Sequence, residues 1–442
     1  MLGVIGNAWA LLLGILLLMI GNGLQGSLLG VRGAIEGFTA TSMSVVTAGY
    51  FLGFLAGSRV APELIRRVGH VRVFSALGSL ISAVLILYPT LPDPVAWTLL
   101  RVVVGLCFSG VYVVAESWLN ESATNETRGQ LLSIYLIVQM VGIVSAQAIL
   151  NFGDPSGFVL FVIPSVLVSL SFAPMLLSAA PAPVYATSRP MTLRQLYEAS
   201  PLGVVGTFLL GGIFAAQFGM ASVWATEAGL SVSEISVFVA TIYLGGMLCQ
   251  YPIGWISDRM DRRLLILLLA ALAAAVTVAG AAAGDRFWLL LVVAFVMGGV
   301  ANPLYSLFIA YTNDFLEHDD MAAASGGLIF ANGLGAIAGP VLVGRMMDVF
   351  GPPAFYLYMA VLFGAIALYA LWRMTRRPAP AVEETSAFAP VAPISSPVAV
   401  EVAQEYAIET AEAEAEAEAE AEAASEEEER RAAVAEAGDG QS

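Results

Sequence analysis

Arg101 and Glu116 lie in one apolar run near residues 95–118, with Gly105 and Tyr112 between them at intervals of four, seven and four. That spacing puts all four on one stripe of a helix. A guanidinium in apolar surroundings is a permanent cation with a planar fork of donors for a carboxylate or phosphate, and a buried carboxylate is a place to take up or release a proton. Asn22 and Gln25, three apart in an earlier apolar run, share a face, and Gln147, Gln217, Asn302 and Tyr305 stand singly in later ones. These neutral groups suit the recognition of a polar solute or the joining of helices. Cys107 and Cys249 are separated inside apolar runs, and His70 and His318 fall in different polar loops. They form no metal-ligand spacing, and no nucleophile–base pair or phosphate loop accompanies them. No enzyme, metal, cofactor or nucleic-acid partner is expected.

The elements that position these residues follow from composition. The 442 residues are 58% hydrophobic and 12% charged, against about 45–50% apolar and about 25% charged in soluble domains. The excess has to face lipid. Runs of about 20 apolar residues, which cross a bilayer as helices, fall near 8–30, 39–60, 71–90, 95–118, 129–150 and 157–177, and again near 202–223, 235–256, 264–283, 287–311, 322–345 and 354–373. Ala8–Ile20 has neither the basic leader nor the cleavage site of a signal peptide and reads as the first span. The expected fold is an all-α integral membrane protein with twelve transmembrane helices in two six-helix bundles, 1–177 and 202–377. A linker at 178–201 separates them, with Thr192–Tyr197 able to form a short surface helix.

The halves echo each other at an offset of 193 residues: Tyr50 and Gly53 fall on Tyr243 and Gly246, and Gly105, Asn120 and Gly142 on Gly298, Asn313 and Gly335. A parallel duplication is the expected origin. With the N-terminus in the cytoplasm, thirteen arginines fall in cytoplasmic segments and three (Arg32, Arg286, Arg345) in outer loops. That positive-inside bias predicts a multi-pass membrane protein with both termini cytoplasmic. The net charge of −16 belongs to the tail: 378–442 holds 17 acids and two arginines, leaving the body near neutral. Pro/Ala-rich and then Ala/Glu-alternating, this tail is expected to be disordered or transiently helical.

Gly254-Trp-Ile-Ser-Asp258-Arg259-Met-Asp261-Arg262-Arg263 resembles the signature loop of the major facilitator superfamily. In the matching first-half loop, Gly57 stands where aspartate is expected, although Arg66, Arg67 and Arg72 keep it basic. Arg101 and Gly105 resemble the superfamily's arginine–glycine motif of span four. Glu121 with Arg128 and Gly129 reproduces a spacing that sugar porters carry between spans four and five, and Gly142 and Gln147 sit where those porters have a glycine and a sugar-contacting glutamine. Glu116–Gly129 is similar to the bacterial YcaD-like branch, a resemblance that implies a bacterial inner (plasma) membrane.

The resemblance covers Asn7 to about Arg377 and implies a secondary transporter working by alternating access, with spans one, four, seven and ten around a central cavity. On that basis Asn22, Gln25, Arg101, Tyr112, Gln147, Gln217, Asn302 and Tyr305 are candidate substrate contacts. Arg66, Arg67, Glu116, Glu121, Arg128, Gly254, Asp258, Arg259, Arg262 and Arg263 are candidate gate residues. The basic first-half loop is expected to pair with acidic Asp314, Glu317, Asp319 and Asp320 when the cytoplasmic side closes.

Arg101 lies about seven residues into its span, or ~10 Å, and Glu116 ~22 Å further along. Arg101 has a structural alternative, bonding to helix carbonyls or Gln25. Glu116 is the one carboxylate inside any span, so proton coupling through Glu116 or Glu36 and uncoupled diffusion both stay open. A small polar or anionic solute and an amphipathic efflux substrate suit this cavity equally, in a protein expected to be monomeric. The alternative from another class is a non-transporting receptor or scaffold that signals through its acidic tail.

Overall fold

Lipid offers no partner to a backbone N–H or C=O, so each apolar run has to close its hydrogen bonds within itself as a helix. The computed structural model describes residues 2–121, 127–176, 191–284, 286–376, 388–396 and 398–405, and the described residues form helices joined by short connections. The first six are α1 (Leu2–Ile35), α2 (Ala40–Val68), α3 (His70–Leu87), α4 (Pro94–Glu121), α5 (Arg128–Ile149) and α6 (Val159–Leu176). A short α7 (Leu193–Ala199) lies in the linker. The second six are α8 (Pro201–Glu227), α9 (Val232–Ser257), α10 (Arg262–Ala281), α11 (Phe287–Asn313), α12 (His318–Phe350) and α13 (Ala354–Met374). A fourteenth helix, α14, spans 398–405.

Eleven of these are long and apolar enough to cross a membrane; in α6 the apolar stretch is the shorter Val159–Pro174. Pro164 and Pro174 lie within α6, and the turn at Leu150–Phe152 takes up part of its approach. Local signals set the ends. Ser231 and Glu234 cap each other's backbone at the start of α9, and Thr192 and Gln195 do the same for α7, the reciprocal arrangement that satisfies two otherwise orphaned donors. Gly229 turns α8 into α9 at φ +81°, a conformation that any Cβ would strain.

The duplication read from sequence is visible as helix packing. In the first half α2 packs on α4 and α1 on α5; in the second, α9 packs on α11 and α8 on α12. The same glycines carry both sets. A Cβ at Gly105 would lie 1.9 Å from the Tyr50 carbonyl oxygen, and one at Gly298 1.9 Å from that of Ile242. A Cβ at Gly142 would lie 3.1 Å from the Leu16 carbonyl oxygen, and one at Gly335 1.8 Å from that of Phe208. Only bare backbone allows helices this close.

The halves meet along α2–α12, α1–α8 and α5–α9. At the end of the bundle away from the linker they are locked. The backbone N–H groups of Ala40 and Thr41 donate to the two carboxylate oxygens of Asp348 at 3.1 Å, where the α2 N-terminus favours an anion. Asn151 donates to Ser236 Oγ at 3.0 Å, and a Cβ at Gly30 would strike Ser222. At the same end Arg32 is held 2.6 Å from Glu36 and donates to the Pro155 carbonyl.

At the linker end α5 and α9 stand apart. A cavity of about 420 Å³ opens between them, lined by Leu136, Met140, Gln250 and Trp255, and the described tail residues occupy the gap. This departs from the disorder expected after Pro378. Residues 388–396 and α14 are packed, with Val391, Ser396, Val400 and Ala403 buried, because backbone and side-chain partners on the bundle replace the water a free tail would use. The rest of the tail, including Glu412–Glu422, lies outside the described residues.

Candidate functional site

At the bundle centre α1, α2, α4, α5, α8, α9 and α11 enclose a cavity of about 80 Å³, lined by Asn22, Tyr50, Arg101, Gln139, Tyr243 and Asn302 among others. Arg101 is 8% exposed. Its guanidinium stacks over the Tyr50 ring, 5.4 Å from the centroid, and its Nε has no hydrogen-bond partner among the described residues. No described carboxylate forms an ion pair with it. A cation–π contact contributes about 0.5–2 kcal/mol, whereas taking an ion out of water costs several kcal/mol. Among the described residues nothing further offsets that difference, and Arg101 lines the cavity.

Asn302 adds an amide whose oxygen and nitrogen are both buried without a partner among the described residues, and Gln139 an Nε2 in the same situation. Asn22 lies beside the Tyr50 and Tyr112 hydroxyls. Tyr50 and Tyr243, the pair related by the internal repeat, both line the cavity. The wall therefore offers one fixed cation, neutral amides and phenols, with Phe51, Phe214 and Phe218 as apolar surface.

The other expected contacts are placed differently. Gln147 accepts from Ser27 Oγ at 2.7 Å and donates to the Ile143 carbonyl at 3.2 Å, so it ties α5 to α1 behind the wall. Tyr112 is buried with its hydroxyl 3.4 Å from Met19 Sδ. Gln25 is buried beside Tyr88. Gln217 and Tyr305 are fully buried, with no partner among the described residues for the Gln217 amide or the Tyr305 hydroxyl, and neither lines the central cavity. Tyr50, Gln139 and Tyr243 were not among the expected contacts. The Tyr50–Tyr243 correspondence was the available signal, because a repeated polar side chain on two paired helices faces the shared axis.

At the linker end the signature loop is a buried ionic cluster. Arg262 Nη1 meets Asp314 Oδ1 at 2.5 Å with both side chains buried, and its other donors reach Ser257 Oγ at 3.1 Å and Asp258 at 3.4 Å. Arg263 pairs with Asp261 at 2.8 Å, and Arg259 lies over the Trp255 ring at 4.2 Å. Burial pushes the Asp258 carboxyl above its usual range, against the opposing pull of the Phe388 N–H and Arg262. Gly254 lies under the Phe388 ring.

In the first half, exposed Arg66 and Arg67 both pair with Glu63 of their own helix, Arg67 at 2.6 Å. The acidic loop residue Asp314 is thus taken by Arg262, from its own half. Glu121 is exposed at the end of α4, and the Arg128 side chain lies outside the described residues. Glu116 is 2% exposed, accepting from Tyr135 Oη at 2.8 Å and from the Ser396 N–H at 3.0 Å.

The family model described as Major Facilitator Superfamily matches residues 11–203 and 203–408. An uncharacterized MFS-type transporter of Yersinia pestis (strain Pestoides F) is 24% identical over 372 residues, covering 83% of this chain and 95% of the relative. The YcaD protein of Salmonella arizonae, also described as an uncharacterized MFS-type transporter, is 24% identical over 356 residues, covering 79% and 91%. Among solved structures, nucleoside transporter NupG superposes with a TM-score of 0.67 at 14% identity, covering 84% of this chain and 98% of that one. A bacterial homologue of the human lysosomal transporter Spinster, in an inward-facing and unoccupied conformation, gives 0.64 at 14% identity, covering 91% and 98%. With a locked end, an open end, a polar cavity between two repeated bundles and a family match along nearly the whole body, this multi-pass membrane chain belongs to the Major Facilitator Superfamily, in its YcaD-like branch.

Proposed function

We propose that this secondary transporter moves a small anionic organic solute by alternating access, with Arg101 as the charge that holds it. The observation that carries the substrate class is the cavity-facing guanidinium with no carboxylate partner among the described residues. An amphipathic efflux substrate would leave that cation unpaired in a low-dielectric site, whereas a carboxylate would complete it bidentately. Asn22, Gln139 and Asn302 supply neutral hydrogen bonds, and Tyr50 and Tyr243 the aromatic surface.

The positive-inside distribution of arginine makes the linker end cytoplasmic, in a bacterial inner membrane. In this reading the halves 1–177 and 202–377 rock against each other, joined by 178–201. On this assignment the conformation is closed outside and open inside. The Arg262–Asp258–Asp314 cluster stiffens the second-half gate, and Arg66, Arg67, Glu121 and Arg128 offer the facing first-half charges when the cytoplasmic ends meet. A coupling proton, where the cycle uses one, has Glu116 as its buried carboxylate in the helix walls.

The test is thermal unfolding of the purified protein against a panel of organic anions, sugars, nucleosides and cationic drugs, beside Arg101→Gln. A ligand at 100 times its dissociation constant adds ~2.7 kcal/mol to the native state. One anionic class that stabilises the wild type but not the variant supports the reading. Stabilisation by neutral or cationic compounds alone, equal in both proteins, contradicts it.

A further inference from the structure

We propose that residues 388–405 are an autoinhibitory plug: the chain's own C-terminal segment is the ligand of the cytoplasmic vestibule and holds the transporter inward-open. The inference rests on the alternating-access reading, not on the identity of the solute.

The segment enters beside the signature loop, where the Phe388 N–H donates to Asp258 Oδ1 at 2.9 Å and its ring covers Gly254. It then runs between the halves. The Val391 N–H donates to Ser306 Oγ at 2.9 Å, and Ser306 returns a bond to the Val391 carbonyl at 3.1 Å. The Pro393 carbonyl accepts from Asn332 Nδ2 at 3.1 Å, and Ala392, Pro393 and Ile394 form the floor of the central cavity. The Ser396 N–H donates to Glu116, reaching across to the other half. α14 follows, with Gln404 bonded to Asn313 at 3.1 Å and to Ser325 at 2.9 Å.

The sequence suits this path for a physical reason. An extended segment in an apolar vestibule is favoured when few of its N–H groups lack a partner. Residues 390, 393 and 397 are prolines, which have no N–H to satisfy. The N–H groups of 388, 391 and 396 reach Asp258, Ser306 and Glu116, and that of Ser395 reaches the Ala392 carbonyl at 2.9 Å. Ser396 Oγ then accepts from the Val398 N–H at 3.2 Å as the cap of α14. A tail that merely rested on the surface would show none of this burial.

Two consequences follow. Cytoplasmic closure needs the space between α4–α5 and α9–α11 that the segment fills, so the plug has to leave before the transporter turns outward. The cavity left above it, about 80 Å³, is also well below the ~300–1,000 Å³ of ordinary small-molecule sites. The plug therefore shuts out solute from the cytoplasm.

The experiment needs no substrate. In a Cys107→Ala/Cys249→Ala background, Ser306→Cys is labelled with an impermeant maleimide in inside-out vesicles. The comparison is with the same chain carrying Phe388→Asp, Val391→Asp and Ile394→Asp, which expel the segment. The plug predicts that labelling rises roughly tenfold or more on release, as for a group otherwise reached only through local opening. Separately, oxidation of Gly254→Cys/Phe388→Cys in the full chain should form a disulfide, since these positions adjoin. Equal labelling rates, or no cross-link, overturns the proposal. Should the triple variant fail to purify as a folded protein, the cross-link decides alone. A failed search for anionic ligands leaves both readouts unchanged, so the two readings fall separately.

Discussion

Arg262 and Asp314 meet at 2.5 Å with both side chains buried, joining the start of α10 to the loop after α11 within one half. A buried pair of this kind destabilises strongly when one member is lost, because the other is left charged in low dielectric. Asp314→Ala should therefore cost about 3–5 kcal/mol of stability, seen as a lowered melting temperature in detergent. Arg262→Met/Asp314→Leu should recover most of it. A single variant that melts like the wild type would show the pair to be idle.

The glycine crossings predict a sharper contrast. Gly105→Ala and Gly298→Ala each place a methyl 1.9 Å from a carbonyl oxygen of the facing helix, and overpacking typically costs about 1–3 kcal/mol. Gly364→Ala meets nothing within 4 Å and should be neutral or slightly stabilising through helix propensity. Thermal unfolding of the three variants checks both directions, and similar losses in all three would refute the packing argument.

Gln147 separates structure from recognition. It is fully engaged with Ser27 and the Ile143 carbonyl, so Gln147→Leu should lose about 0.6–1.7 kcal/mol, the range of membrane interhelical hydrogen bonds. Ligand affinity should stay near the wild-type value. A large affinity loss at unchanged stability would instead make Gln147 a solute contact.

Much of this architecture was legible because lipid is a severe solvent. Twelve apolar runs, the linker and the two-fold repeat follow from runs of hydrophobic residues and a handful of glycines. Arg101 stood out for the same reason: a cation that deep in a span is expensive and needs a cause. What the sequence concealed depends on tertiary contacts. Ser27 reaches Gln147 before any solute could, and periodicity carries no record of that. Tyr50 and Gln139 line the cavity from helices outside the expected set of four. The tail misled most. Alanine- and proline-rich, without helical or strand period, 388–396 reads as unstructured, and its order comes from Asp258, Ser306 and Glu116, far off in sequence.

Arg101→Lys examines the geometry of the anion site. Lysine keeps the charge but not the fork, so a carboxylate ligand should bind more weakly by about 1.5–3 kcal/mol, the range of a charge-assisted hydrogen bond, in calorimetric titration. Arg101→Gln should lose binding altogether while melting no lower than the wild type, because it removes a buried charge that no described carboxylate pairs. A strongly destabilised Arg101→Gln would show the guanidinium to be a structural strut.

Counterflow in proteoliposomes tests anion transport through the Arg101 site. Vesicles are preloaded with unlabelled solute of the class found by thermal unfolding, and uptake of a radiolabelled trace is followed. Alternating access at Arg101 should give a transient overshoot with the wild type, a larger one with the plug-releasing variant, and none with Arg101→Gln. An overshoot of equal size in Arg101→Gln, or counterflow of neutral solutes alone, would contradict it.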